Sequence, residues 1–207
     1  MGQYSVVVLD FETTGLSPDS GDRAIEIGAV LIQNNEIVDS FQSLMNPERR
    51  ISSFIEEYTG ITNQMLSTAP SIAETMEKFA FFMAGHHLVA HNASFDRRFL
   101  DAELMRINRV RQQEFACSML IARRLYPGAP SHRLETLVRH KNLSNSGVFH
   151  RALADAEMTG RLWVSMVQDF KATCQLNEAP FALMQQLAKV KKGALPAFFQ
   201  RLAAERH

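Results

Sequence analysis

Two cysteines in 207 residues, Cys117 and Cys174, are too few for a disulfide scaffold, and they lack metal-ligand spacing. Both are expected to be free thiols in a reducing compartment. No apolar run is long enough to span a bilayer, and the N-terminus has no basic region followed by an apolar block. Met1-Gly2 matches the start of a myristoylation signal, but Val6 stands where serine or threonine is required. A cytoplasmic protein with no membrane partner is therefore expected. Net charge is missing too, since 22 basic and 22 acidic residues cancel. Whole-molecule basicity thus announces no nucleic-acid partner, and any phosphates must be held by local patches and metal ions. Internal repeats and low-complexity tracts are absent.

What is present is an ordinary globular composition, 46% hydrophobic and 21% charged, in a chain long enough for one domain and an extension. Residues 4–9 form a β-branched apolar run, read as a buried strand that ends at Asp10 and enters a turn-rich stretch. Residues 24–32 read as a second strand, and Asn34-Asn35 marks a turn back into a third over 37–44. Thr62 and Asn63 could cap a short helix, and Ser71 starts one through Met83. A strand over 88–91, a helix over 94–107, a strand over 115–117 and helices over 119–126, 133–140 and 151–170 follow, with a loop over 142–147. Three antiparallel strands and then alternating strands and helices predict an α/β mixed sheet flanked by helices. Residues 1–175 are expected to form the main domain. Residues 176–207 read as an appended extension with one apolar stripe of Phe181, Leu183, Met184 and Leu187 and another of Leu195, Phe198, Phe199 and Leu202.

Three short motifs carry the chemistry. The first is Asp10-Phe11-Glu12-Thr13-Thr14-Gly15, the second His91-Asn92-Ala93-Ser94-Phe95-Asp96, and the third His150-Arg151-Ala152-Leu153-Ala154-Asp155. Strand residues two apart share a face, so Asp10 and Glu12 project side by side and repel unless a cation neutralises them. Hard oxygen ligands select Mg²⁺ or Mn²⁺ over zinc. An isolated Asp-x-Glu is most often a solvated strand end, and Asp155, near a helix N-terminus, is also explained by the helix dipole. His150 precedes that helix, on a loop where it can swing and where, beside carboxylates, it can take a proton from water near neutral pH. Asp96 follows a short strand and opens a helix. Trp163 reads as core, and His86-His87 as a loop before a strand.

Taken together and in this order, the motifs resemble those of the DEDDh family of 3′→5′ exonucleases, over roughly residues 4–169. Ala24-Ile25-Glu26-Ile27-Gly28-Ala29 is similar to the family's second strand and Gly60-Ile61-Thr62 to its substrate-side loop; Thr59 stands where many members have histidine. The resemblance implies a ribonuclease H-like fold, two divalent cations (Mg²⁺ or Mn²⁺), and release of nucleoside 5′-monophosphates from the 3′ end of single-stranded nucleic acid, DNA ahead of RNA. It implies that Asp10 bridges both metals, that Glu12 and Asp155 hold the one that positions the attacking water, and that Asp96 acts through metal-bound waters. His150 would be the general base. Thr13, Thr14, Gly15, Leu16, Ile61, His91, Asn92 and Phe95 would bind or frame the substrate, with Leu16 either wedged against the last bases or packed in the core. His91 is expected to organise the second motif rather than do chemistry.

Alternatives stay open: RNA 3′-end trimming, a non-catalytic nucleic-acid-binding module, or a polymerase-associated subunit in a proofreading or repair setting. Residues 176–207 could serve polymerase docking or self-association, or pack on the chain's own domain. Between residues 97 and 141 ten basic residues outnumber four acidic ones, and Arg97-Arg98 and Arg123-Arg124 could meet phosphates or form solvated helix faces.

Overall fold

In a computed structural model, which describes residues 4–144 and 150–204, five strands among the described residues form one sheet of order β3-β2-β1-β4-β5. β1 (Val6–Thr13) pairs antiparallel with β2 (Ala24–Gln33), which pairs antiparallel with β3 (Glu36–Leu44). β4 (His87–Ala90) adds to the other edge of β1 in parallel, and β5 (Phe115–Cys117) adds in parallel to β4. The expected mixed sheet is therefore present. Asn34 and Asn35 both take left-handed backbone, φ 54° and 66°, as a two-residue hairpin of matching twist requires.

β1 runs four residues beyond the expected end at Leu9, because its ladder to β2 continues as far as Thr13. Alternation then fixes which side each residue serves. Val7, Leu9 and Phe11 face α3 (Ile72–Phe82) and α4 (Ser94–Arg106), in a core with Met76, Phe79, Phe99 and Leu104. Val6 and Val8 face the long helix α7 (Ala152–Cys174), with Trp163, Met166 and Phe170. Asp10 and Glu12 continue the second row, so the chemistry lies on the α7 face.

Two short helices precede α3. α1 (Ser53–Thr59) has no counterpart in the elements expected from sequence; α2 (Asn63–Ser67) is capped by Thr62 as expected. α5 (Ser118–Leu125) and α6 (Leu134–His140) follow β5. α8 (Phe181–Lys189) and α9 (Leu195–Ala204) turn their apolar stripes inward. Phe181, Met184, Leu187, Leu195 and Leu202 are buried in the α7 core, His87 stacks on Phe181 at 4.1 Å, and Phe198 stacks on Phe170. Each such side chain contributes about 1.5–3 kcal/mol of burial. Residues 145–147 of the expected loop and the last three of the expected extension lie outside the described residues. No helix among the described residues is long and apolar enough to cross a membrane.

Candidate active site

The sheet brings Asp10, Glu12 and Asp155 together, with carboxylate oxygens all within 4.8 Å of one another. Asp10 and Glu12 come from the last rungs of the β1 ladder, opposite Gly28 and Glu26 of β2. Asp155 comes from the first turn of α7. Two residues of β2 seat that helix end. Gly28 is the first: a Cβ there would meet the backbone nitrogen of Leu153 at 2.0 Å, so only glycine lets α7 settle on the strand. Glu26, fully buried, is the second. Its carboxylate accepts from Arg151 Nη2 at 2.8 Å, from Arg151 Nε at 3.2 Å and from the Ala152 N–H at 3.1 Å. The helix is thus bolted down one turn ahead of Asp155.

Asp96 reaches the cluster from the opposite face. β4 pairs with β1 only as far as Val8↔Val89, which leaves the Phe11 N–H free of that ladder, and Asp96 Oδ1 accepts from it at 3.2 Å. A second buried glutamate, Glu103, fixes α4 by accepting from Arg23 Nε at 2.9 Å and from the Ala24 N–H at 3.3 Å.

Electrostatics mark the four acids. Loss of water around Asp10, followed by the charges of Asp96, Glu12 and Asp155, pushes its carboxyl well above the usual range. Burial and then Asp155 raise Glu12 to about 8. Burial raises Asp96 to about 7, against the pull of its backbone donors. Asp155 is also raised, chiefly by burial, although the His150 N–H donates to its Oδ2 at 3.0 Å. A set of oxygen ligands whose charged forms are all disfavoured by burial and by one another fits a hard divalent cation.

His150 lies just ahead of α7, in left-handed backbone with φ 66°. Its ring packs on Tyr58, with centroids 4.2 Å apart, and Tyr58 stacks on Phe54 at 5.9 Å and 13°. Tyr58 is half exposed and Phe54 more so, and the hydroxyl of Tyr58 is raised by burial and then by Glu12, Asp155 and Asp10. An aromatic ladder therefore borders the acids.

The other residues named from sequence separate into those at the surface and those inside. Thr13 is buried and its hydroxyl donates to the Gly15 carbonyl at 2.6 Å. Thr14 donates to Asp22, whose carboxylate also accepts the Ser17 N–H and leaves no room for a Cβ on Gly15. Leu16 is 80% exposed, which excludes core packing. Asn92 is exposed with φ 66°, and Phe95 is half-buried against Phe99. Ile61 is a correction: its side chain is fully buried with Ile25, Ile51 and Leu66, so it supports the loop from below and offers substrate no surface. Thr59 ends α1, its hydroxyl donating to the Ile55 carbonyl. His91 is half-buried, held neutral with a value lowered to about 4 by loss of water, and bonded to Ser118 Oγ and the His132 carbonyl at 2.9 Å each. It is a brace between the second motif and α5. Trp163 is core, and His86 is tied to Ser5.

Glu26, Gly28, Arg151, Phe54 and Tyr58 were not singled out from sequence. A charged residue in the apolar run Ala24-Ile25-Glu26-Ile27 is a signal for a buried paired acid. Aromatics four apart on a short helix share one face, a signal for a paired aromatic surface.

Comparison with known proteins agrees with this geometry. A family model described as Exonuclease matches residues 7–163. A "DNA polymerase III PolC-type" of Bacillus cereus is 38% identical over 185 residues, 86% of this chain. A "3′-5′ exonuclease DinG" of Bacillus subtilis is 32% identical over 93% of this chain. The chain spans only 13% of the length of the first and 20% of the second. Among solved structures, Exonuclease X in complex with 5′ overhanging duplex DNA superposes with a TM-score of 0.70 at 27% identity, covering 88% of this chain and 99% of that one. The nuclease domain of 3′hExo, a DEDDh family member bound to rAMP, shares the fold with a TM-score of 0.67 at 23% identity, over 81% of this chain and 93% of that one.

Proposed function

The chain belongs to the exonuclease family, and from that premise we propose that it hydrolyses phosphodiester bonds one nucleotide at a time from the 3′ end of single-stranded nucleic acid, DNA ahead of RNA, with two divalent cations, Mg²⁺ or Mn²⁺. The observation that carries this reading is the uncompensated cluster of Asp10, Glu12 and Asp155 beside Asp96. Asp10, Glu12 and Asp155 would hold the cations, with Asp96 beside them. When bound, the two ions supply charge to the attacking and leaving oxygens of an in-line displacement.

His150 takes the proton of the attacking water as general base. The new bond forms at the phosphorus of the terminal nucleotide, the bond to the 3′ oxygen of the preceding one breaks, and a nucleoside 5′-monophosphate leaves. The main-chain N–H of His150 donates to Asp155, which fixes the backbone that carries the base beside a proposed metal ligand. Thr13, Thr14, Gly15, Asn92 and Phe95 frame the terminal nucleotide, and Leu16 presents an apolar edge to the last bases. Phe54 and Tyr58 offer stacking faces, which suit any base because every base has a π-face. Residues 1–175 would carry the chemistry, with α8 and α9 of the extension bracing α5 and α7.

The test is degradation of 5′-labelled single-stranded DNA and RNA with Mg²⁺, Mn²⁺ or EDTA, beside Asp10→Ala. A metal-dependent ladder shortening from the 3′ end and absent in the variant is expected; no cleavage with any metal would leave a binding module. The likeness to PolC-type polymerases favours a second reading, proofreading beside a polymerase in the cytoplasm. The stripes of α8 and α9 face the chain's own core, so polymerase docking or self-association through residues 176–207 would use their outer faces.

A further inference from the structure

A cleft of about 470 Å³ opens between α4, the edge strand β5 and α8, lined among others by Ser94, Arg97, Arg111, Phe115, Gln185 and Lys189. Three cations face one carboxylate there, Glu114, which already accepts from Gln185 Nε2 at 2.9 Å. Arg111 is paired with Asp101 and lies over the Phe115 ring. Arg97 and Lys189 are exposed, and among the described residues neither has an ion-pair partner. The other arginines that the sequence offered to phosphates are engaged elsewhere: Arg98 on the Leu16 carbonyl, Arg124 on the Val190 carbonyl and Arg123 on the Met119 sulfur. The residues just ahead of α4 and α5, Ala93 and Cys117, also line the cleft, and neither of them caps its helix with a side chain, which adds partial positive charge to the same space.

We propose that this cleft is a phosphate-binding track that holds the nucleic-acid strand 5′ of the scissile bond. The inference rests on the exonuclease reading. Its basis is the unpaired pair Arg97 and Lys189, one from the helix that carries Asp96 and one from the C-terminal segment. Asp96 and Arg97 are consecutive, so they project from α4 about 100° apart. A strand whose last phosphate meets the acids can cross the first turn of α4 and lay its earlier phosphates along the cationic rim, with apolar Phe115, Leu120 and Ala188 as the floor. This gives α8 a part in substrate length preference and supplies the local positive charge that a chain of zero net charge needs.

The experiment is fluorescence anisotropy in EDTA with 5′-fluorescein single-stranded DNA, a dinucleotide and a dodecamer, over a salt series, for the wild type and Arg97→Ala/Lys189→Ala. The double variant is expected to bind the dodecamer more weakly, with the slope of log Kd against log salt shallower by about 1.4, from about 0.7 for each single-strand phosphate that is no longer neutralised. Lys189→Glu, at an exposed position, should weaken binding further. Unchanged dodecamer affinity and slope would overturn the track. So would equal weakening for the dinucleotide, which would place both residues at the terminal nucleotide. Hydrolysis of the p-nitrophenyl ester of thymidine 5′-monophosphate by the wild type with Mn²⁺ reports on the acids separately. Its failure would sink the catalytic reading while the Kd comparison still decides the cleft.

Discussion

Glu12 and Glu26 are cross-strand neighbours in the same ladder, both with little or no exposure, and they do opposite things. Glu26, like Glu103 on the other face, is surrounded by donors: Arg151, the Ala152 N–H and Gln42 for one, Arg23, Arg106 and the Ala24 N–H for the other. Among the described residues the carboxylates of Asp10 and Glu12 accept no hydrogen bond, and those of Asp155 and Asp96 accept backbone N–H groups only. A buried carboxylate with donors on every side is a clamp. One without them is a deficit that a cation must make good. The fold uses the clamps to hold two helices against a strand so that the deficits are forced into one place.

That contrast is broken most sharply at Asp10. Asp10→Asn should reduce nuclease activity to background while the melting temperature of the metal-free protein holds or rises, because a neutral amide replaces an acid whose charged form burial and its neighbours disfavour. A lowered melting temperature with activity retained would show Asp10 to be a clamp after all. His150→Ala should lower kcat by about 10²–10⁴, the usual contribution of a general base, with the fold intact. A single-turnover rate equal to the wild type across pH would remove His150 from the chemistry.

The converse change is Glu26→Ala, which leaves the Ala152 N–H and the Arg151 guanidinium without their acceptor. A loss on the order of 3 kcal/mol is expected, below the full figure for a buried pair because Arg151 is partly exposed. In a chain of this size that is roughly 6–12 °C in Tm. Activity should fall too, since the end of α7 that carries Asp155 is released. A Tm within a degree or two of the wild type would mean that Gly28 packing alone seats the helix.

The acids and His150 were legible in the sequence because their order and local context form a pattern, and the sheet was legible because apolar alternation and the Asn34-Asn35 turn mark it directly. The end of β1 was misplaced at Leu9: charged residues look like a strand end, and only the partner strand shows that the ladder continues to Thr13. Ile61 lies in the Gly60-Ile61-Thr62 loop that the resemblance places on the substrate side, but the turn at the end of α1 sends its side chain inward, a direction that no local pattern reveals. α1 is seven residues long, turns Phe54 and Tyr58 outward and sends only Ile55 and Thr59 inward, too few positions to mark a helical period. The clamp of Glu26 joins residues 125 apart, a distance that no local pattern spans.

The smallest effect follows from protons. Glu12 and Asp96 are raised to about 8 and about 7, from ordinary values of 4.5 and 3.8. Between those limits the folded protein keeps protons that the unfolded chain has released. The slope of unfolding free energy with pH is then negative, and stability from these groups is present at low pH and lost as pH rises through the window. The metal-free melting temperature should therefore decline from about pH 4.5 to about pH 8 on account of the cluster, and Glu12→Gln should flatten the decline. Divalent cations need the deprotonated acids, so Mn²⁺ should add little at pH 5 and progressively more towards pH 8. A Mn²⁺-induced rise in Tm that is equal at pH 5 and pH 8, or that persists in Asp10→Asn/Glu12→Gln, would mean that the cation binds somewhere other than the uncompensated acids.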